Sequence, residues 1–366
     1  MLERRVTDLW YRESAGISLL APLSWLYGTA VRARRGAYER GWFRPYRLPR
    51  PVIVVGNLTV GGTGKTPFVI WLAQRLSERG LKVGLLSRGY GREHDRSRAS
   101  AESMRGLPLR DAEANRQAIE REARRVYADS SWREAGDEPV LLARRTGCAT
   151  VVARDRVAGA QALVALDVDV IIADDGLQHL RLARDLEIVL VDGARGFGNG
   201  RLLPAGPLRE PVSRLRHADA VVVNGTAEHA SLAPASFGPG RPALHMALRA
   251  EEVRRVDGGS APQPLEAFGH QRVHAVAGIG NPTRYFRDLR ARGLELIEHR
   301  FPDHHPFSAA DLAFDDEFAI LMTEKDAVRA QSLATARMWY VPVAAHLNDA
   351  DTEAILSLIS ERIAPC

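Results

Sequence analysis

The chain has 366 residues, 45% of them hydrophobic, enough for a sizeable core and two domains of ordinary size, which excludes a single small module. Its net charge of +5 and pI near 9.4 suit an anionic partner, whether nucleotide, phospholipid headgroup or nucleic acid, and charge alone does not choose among these. Two cysteines, Cys148 and Cys366, lie far apart with no CxxC or Cys/His pattern, which argues against a disulfide framework and a zinc site and makes a reducing compartment the expectation.

Residues 1–12 carry charges of both signs, and no small-residue cleavage site follows the apolar run at 17–31, so no cleavable signal peptide is expected. As a helix that run would rise only about 22 Å, short of the roughly 30 Å hydrocarbon core. Arg32, Arg34, Arg35, Arg40 and Arg44 follow it, a pattern that suits an interfacial anchor meeting anionic headgroups. A helix packed on the domain would show the same apolar stripe.

Residues 51–55 (PVIVV) form a β-branched run, followed by a glycine-rich stretch and a helical pattern at 68–79, giving strand, loop and helix. Strands are expected at 83–86, 150–153, 168–173, 186–191 and 221–223, with helices at 112–127, 140–145 and 156–166. Continuous apolar strands spaced by helices predict a parallel sheet covered on both faces. The Pro-, Gly- and Ala-rich stretch at 226–269, which includes Leu244 to Leu248, reads as a connection. Beyond it, strands at 274–278, 295–299, 319–322 and 339–343 and helices at 282–292 and 311–318 predict a second, smaller α/β unit, and the last helix is expected at 352–363. The expected organisation is thus a membrane-associating helix and basic segment at 1–50, a nucleotide domain at 51–225, the connector at 226–269, the smaller unit at 270–345 and a C-terminal helix segment at 346–366.

Between the first strand and helix lies GNLTVGGTGKTP, residues 56–67. Glycines at Gly61, Gly62 and Gly64, with Thr63 between them, let backbone N–H groups turn toward phosphate oxygens. The helix N-terminus adds partial positive charge, Lys65 reaches the β- and γ-phosphates, and Thr66 can ligate magnesium. The strict spacing would place glycine at Thr59, so this is a variant loop. Lys65, Lys82 and Lys325 are the only lysines among 50 basic residues, so a lysine inside this loop is not there by background frequency. Asp174 and Asp175, in DDGLQH at 174–179, follow an apolar strand and would meet the loop across the sheet's carboxyl edge, where one of them can hold magnesium; by itself Asp-Asp-Gly is also a turn signal. GDEP at 136–139 and FPDHH at 301–305 are weaker alone, because Asp137 and Glu138 could cap a helix and His304 and His305 could be loop or core residues.

VGNLTVGGTGKTP at 55–67, SRGYGR at 87–92, GDEP at 136–139, DDGLQH at 174–179, GRLLPAGPLREP at 200–211, FPDHH at 301–305 and TEKDAV at 323–328 occur in an order and spacing that resemble the tetraacyldisaccharide 4'-kinase family over essentially the whole chain, the variant Thr59 included. The resemblance implies a P-loop NTPase-type parallel sheet joined to a smaller α/β domain with the active site between them. It implies ATP and Mg2+ as cofactors, an acylated disaccharide 1-phosphate as acceptor of phosphate on its 4'-hydroxyl, and a place on the cytoplasmic face of the bacterial inner membrane. It gives Lys65 and Thr66 the phosphates and metal, and it places Asp174, Asp175 and Glu138 in the metal and phosphate network with Gln178 and His179 in support. Asp137 becomes the base, oriented by His304 from the other unit. Arg88 and Arg92 would face phosphate, and 201–211 would shape the cleft.

A membrane-associated regulatory P-loop NTPase is the main alternative. A GTPase of that kind would want an N/TKxD guanine element and a DxxG switch, and neither TEKD at 323–326 nor DDG at 174–176 has that spacing. A non-catalytic lipid-binding protein is disfavoured by the intact Lys65, Asp137 and Asp174. The arginines are dispersed without interleaved aromatic residues, so no nucleic-acid partner is expected, and no obligate protein partner is evident.

Overall fold

The computed structural model describes residues 10–11, 19–89, 122–232, 237 and 243–363. In chain order its main elements are α1 (Ala21–Glu39), β1 (Val52–Gly56), α2 (Lys65–Glu78), β2 (Val83–Ser87), β3 (Ala123–Val126), α3 (Asp137–Thr146), β4 (Ala149–Ala153), α4 (Arg156–Ala165), β5 (Val170–Asp174), β6 (Leu186–Asp192), β7 (Ala220–Asn224) and β8 (Ala243–Arg249). There follow β9 (Glu252–Arg255), β10 (Gln263–Pro264), β11 (Arg272–Ala277), α5 (Pro282–Arg290), β12 (Glu295–Arg300), β13 (Ile320–Thr323), α6 (Glu324–Ala330), β14 (Met338–Val341), β15 (Ala344–Leu347) and α7 (Asp349–Ile363).

Among the described residues the first sheet runs β15-β8-β7-β6-β1-β5-β2-β4-β3. The strands from β8 to β4 are parallel, while β15 and β3 close the two edges antiparallel. β1, the central strand, is buried along its whole length, and its alternate side chains enter two cores. Ile53 and Val55 pack with Phe68, Leu72 and Leu76 of α2, and Val52 and Val54 pack with Val157 and Leu163 of α4. This covering of both faces explains why the strands read as uninterrupted apolar runs. The second sheet runs β10-β9-β14-β13-β11-β12, with β12, β11, β13 and β14 parallel.

Several expectations need correction. Residues 226–269 are not a plain connector: β8 extends the first sheet beside β7, and β9 and β10 belong to the second. β8 buries only alternate side chains, Leu244 and Met246, so its run lacked the continuous apolar signal of its neighbours. The strand expected at 339–343 ends at Val341, before Pro342, which has no N–H to continue a ladder, and a further strand, β15, follows and returns to pair with β8. α7, expected within a separate terminal segment, buries Ile355, Leu356 and Ile359 in the core that holds Phe68. Residues 123–126, expected to end a helix, pair with β4 instead, since an available sheet edge outweighs a modest local propensity; the rest of 112–127, like Arg92 and Cys366, lies largely or wholly outside the described residues. At 311–318 the structure keeps only a 3-10 turn, Ala309–Leu312. There Asp316 takes up the Phe318 N–H at 3.0 Å and competes with helix continuation.

Candidate active site

The phosphate loop leaves β1 at Gly56, where a Cβ would lie 2.5 Å from Leu177 Cγ, so only glycine lets the two segments pack. It enters α2 through Gly64, whose left-handed φ of +90° turns the chain into the helix. The ends of neighbouring strands brace it. Asn224, closing β7, donates from Nδ2 to the Thr63 carbonyl at 3.0 Å, and Arg195, held by Asp192 of β6, donates to the Gly62 carbonyl at 2.6 Å. Arg284 of α5 in turn donates to Asn224 Oδ1 at 3.2 Å, linking the second unit to the loop. Lys65 Nζ donates to Asn57 Oδ1 at 3.0 Å and lies 3.5 Å from Asp175. Thr66 is buried in the first turn of α2.

Asp174 and Asp175 end and follow β5, beside β1. The structure separates their roles. Asp175, at φ +52°, is ion-paired with Lys65 and, at 2.9 Å, with Arg209; burial opposes its ionisation, but these two cations hold its carboxyl well below the usual range. Asp174 is buried and its Oδ1 has no hydrogen-bond partner. Burial first, and then the Glu138 charge, push its carboxyl up to about 7. An orphaned carboxylate oxygen at the strand end, with the Thr66 hydroxyl on the loop and Glu138 of α3 near enough for its charge to act on Asp174, suits a hard divalent cation. Among the described residues no group of three or more His, Cys, Asp or Glu could hold a metal alone. That is compatible with magnesium, which takes one or two carboxylates and completes its shell with phosphate oxygens and water.

Gln178 donates to Glu210 at 2.9 Å, tying the turn to the 200–211 segment. His179 is neutral near pH 7: burial, then the charges of Arg156 and Arg88, lower its pKa to about 4. Arg88, just past β2, therefore lies within electrostatic reach of this turn.

Opposite the loop, α3 and the second unit meet. His304, at φ +56°, donates from Nδ1 to Asp137 Oδ2 at 2.9 Å. Burial works against an ionised Asp137, but the His304 hydrogen bond and the charges of His304, Arg329 and Lys325 prevail and lower its carboxyl to about 2. Burial likewise opposes the charged imidazole of His304, yet its bond to Asp137 raises the pKa. Arg329 of α6 is fully buried, 3.2 Å from Asp137, bonded to Asp326 and donating to the Gly278 carbonyl at 2.8 Å. Glu138 is bonded to Lys325, whose charge outweighs burial and lowers the carboxyl. His305, by contrast, stacks on Phe301 and contacts Asp311.

The structure thus brings together Lys65, Thr66, Asp174 and Asp175, and next to them Asp137, Glu138 and His304, with Glu138 within electrostatic reach of Lys65 and Asp174. It adds Asn57, Arg195, Arg209, Asn224, Lys325 and Arg329, which carried no individual reading from the sequence. Asn57, Arg209 and Lys325 stood inside quoted motifs. Asn224, the polar residue closing an apolar run, had only its place at a strand end as a signal.

α1 lies against the 200–211 segment, Ser24 donating to the Leu202 carbonyl at 2.7 Å and Tyr27 to the Arg209 carbonyl at 2.9 Å. Its outer side exposes Leu23, Trp25 and Leu26, Leu19 (84%) is exposed just before it, and the segment after it exposes Trp42 (74%) and Phe43. Among the described residues no helix is long and apolar enough to cross a membrane.

A phosphate loop on a parallel sheet, with a carboxylate–imidazole pair that joins the two units, fits the class of P-loop kinases that phosphorylate an alcohol. The family described as LpxK, tetraacyldisaccharide-1-P 4'-kinase, matches residues 17–108 and 116–362. The tetraacyldisaccharide 4'-kinases of Nitrosococcus oceani and Alkalilimnicola ehrlichii are 45% and 48% identical, covering 96% and 91% of this chain and 93% and 90% of their own lengths. The crystal structure of "apo" form LpxK from Aquifex aeolicus in complex with ATP superimposes with a TM-score of 0.73 at 32% identity, covering 95% of this chain and 99% of that one. The chain belongs to the tetraacyldisaccharide 4'-kinase family and is a kinase of lipid A biosynthesis.

Proposed function

We propose that this kinase uses ATP and magnesium at the surface of the inner membrane, on its cytoplasmic face, to phosphorylate the 4'-hydroxyl of a tetraacylated glucosamine disaccharide 1-phosphate, with Asp137 as the base and His304 as its positioning partner. The observation that carries this division of labour is the 2.9 Å contact between Asp137 and His304, which joins the two units opposite the phosphate loop.

The backbone of Gly61 to Gly64 and the Lys65 ammonium bind the β- and γ-phosphates, while Arg209 and Lys65 keep Asp175 ionised beside them. Asp174, Thr66 and Glu138 would hold magnesium, which supplies charge neutralisation at the phosphate oxygens. Asp137, always ionised at neutral pH, accepts the hydrogen bond of the 4'-hydroxyl and takes its proton as the new O–P bond forms. A low pKa is no obstacle, because in a loose phosphoryl-transfer transition state the hydroxyl has little positive charge to shed until bonding is well advanced. His304 fixes the direction of the carboxylate toward the sugar hydroxyl.

The membrane reading is supported by the exposed Leu19, Trp25, Leu26 and Trp42 beside the arginines of α1, since acyl chains left in the bilayer require the cleft to work at its surface. Purified protein incubated with ATP, magnesium and tetraacyldisaccharide 1-phosphate should yield the bisphosphorylated lipid. No product with any acylated disaccharide would end the proposal. Flotation with anionic vesicles tests the surface: Trp25→Glu with Leu26→Glu should move protein from the floated to the soluble fraction, and unchanged flotation would place the contact elsewhere.

A further inference from the structure

Lys325 has no part in the mechanism above. It opens α6 in the second unit, yet its Nζ donates to Glu138 Oε1 on α3. The fields around it converge on the metal and phosphate site. Glu138, Asp137 and Asp303 all raise its basicity against the opposing effect of burial, and its charge is felt in turn by Asp174. Lys65 acts on Glu138 and Asp174 as well, so one ammonium from each unit faces the same carboxylates. In a chain whose basic residues are otherwise almost all arginine, this position holds a lysine. Arginine would grip Glu138 with a two-pronged pair, whereas a single flexible ammonium can change partners.

We propose that Lys325 is a cation contributed by the second unit to the transferring phosphoryl group, held on Glu138 as the structure shows it and released when Glu138 turns to a divalent cation. This rests on the phosphotransfer reading of the same site. In the step it assists, the bond between the γ-phosphorus and the bridging oxygen breaks with its electron pair leaving on ADP. The 4'-oxygen bonds to phosphorus and the hydroxyl proton passes to Asp137. Lys325 keeps all three protons and offsets charge on the non-bridging oxygens.

The test uses the full chain, with Lys325→Met and Lys325→Arg beside the parent. If the parent transfers no phosphate, the phosphotransfer reading fails and not the role of Lys325. Given a working parent, Lys325→Met should lower kcat at least about a hundredfold while KM for ATP stays within a few-fold. Titrated with Mn2+ alone and followed by the paramagnetic resonance of free metal, the same variant should bind Mn2+ several-fold more tightly than the parent, because Glu138 has lost its competitor. Parental kcat would overturn the contact with the phosphoryl group, and unchanged or weaker Mn2+ binding would overturn the exchange at Glu138. Should Lys325→Met fail to fold, Lys325→Arg carries the test: a firmer hold on Glu138 should weaken Mn2+ binding and lower kcat, and parental values for both would overturn the proposal.

Discussion

The phosphate loop and the Asp137–His304–Arg329 cluster, which we propose holds the base, are built in contrasting ways. The loop is made by a dozen consecutive residues, and what braces it comes from the ends of adjacent strands: Asp192 with Arg195, and Asn224. The second cluster joins Asp137, His304 and Arg329, which meet only because α3 packs against the second unit. Binding a phosphate common to many enzymes needs backbone geometry, which a short segment can encode. Directing a base at one particular hydroxyl needs side chains fixed from several directions, which only tertiary packing supplies.

The largest expected effects probe the assembled side. Asp137→Asn and His304→Ala should each lower turnover by about 10²- to 10⁴-fold with ATP affinity within a few-fold of the parent. If the pair acts as a unit, the double variant should be scarcely slower than the worse single one, and strictly multiplicative losses would show independent roles. On the local side, Lys65→Ala should cost at least about a hundredfold in kcat with both substrates saturating; near-normal turnover would remove the loop from the chemistry. Gly64→Ala should destabilise by about 1–2 kcal/mol from backbone conformation alone, and more because the new Cβ would come within 2.6 Å of Asn224 Nδ2. Chemical denaturation reads that loss directly.

The smallest effect is a pH dependence that distinguishes the two sides. Asp137 is lowered to about 2, so its contribution to stability is complete above its unfolded value of about 3.9 and is lost as pH falls toward the folded value. His304 is raised, so its contribution is complete below about 6.5 and fades as pH climbs through its folded pKa. The melting-temperature gap between parent and His304→Ala should therefore be widest between about pH 4 and 6.5. A gap independent of pH would mean that the pair adds no charge-linked stability.

The same contrast governs how much could be read in advance. The central strands and α2 were legible because burial on both faces leaves continuous apolar runs, and the loop because glycine and lysine stand at fixed offsets. β8 was missed because a half-buried strand alternates, and β3 because its pairing with β4 is decided by tertiary contact. Asp137 and His304 gained their roles only from resemblance, since a helix-capping acid and a loop histidine carry no signal alone. The ion pairs of Arg329 and Lys325 were not legible, because each joins residues nearly two hundred positions apart.

The return of β15 and α7 to the first sheet sets an order on the protein's synthesis. β8 leads into β9 and β14 leads back into β15, and Ala344 stands opposite Arg249, so the second unit is threaded through the edge of the first as an insertion. The core that carries Phe68 and Leu72 behind the phosphate loop is completed by Ile355, Leu356 and Ile359, from the far end of the chain. A nascent chain that has released the whole loop and both central carboxylates still exposes that apolar surface on the ribosome. The nucleotide half becomes a finished domain only after the inserted half has been translated, so a ribosome stalled before α7 displays a phosphate loop on an open, aggregation-prone sheet.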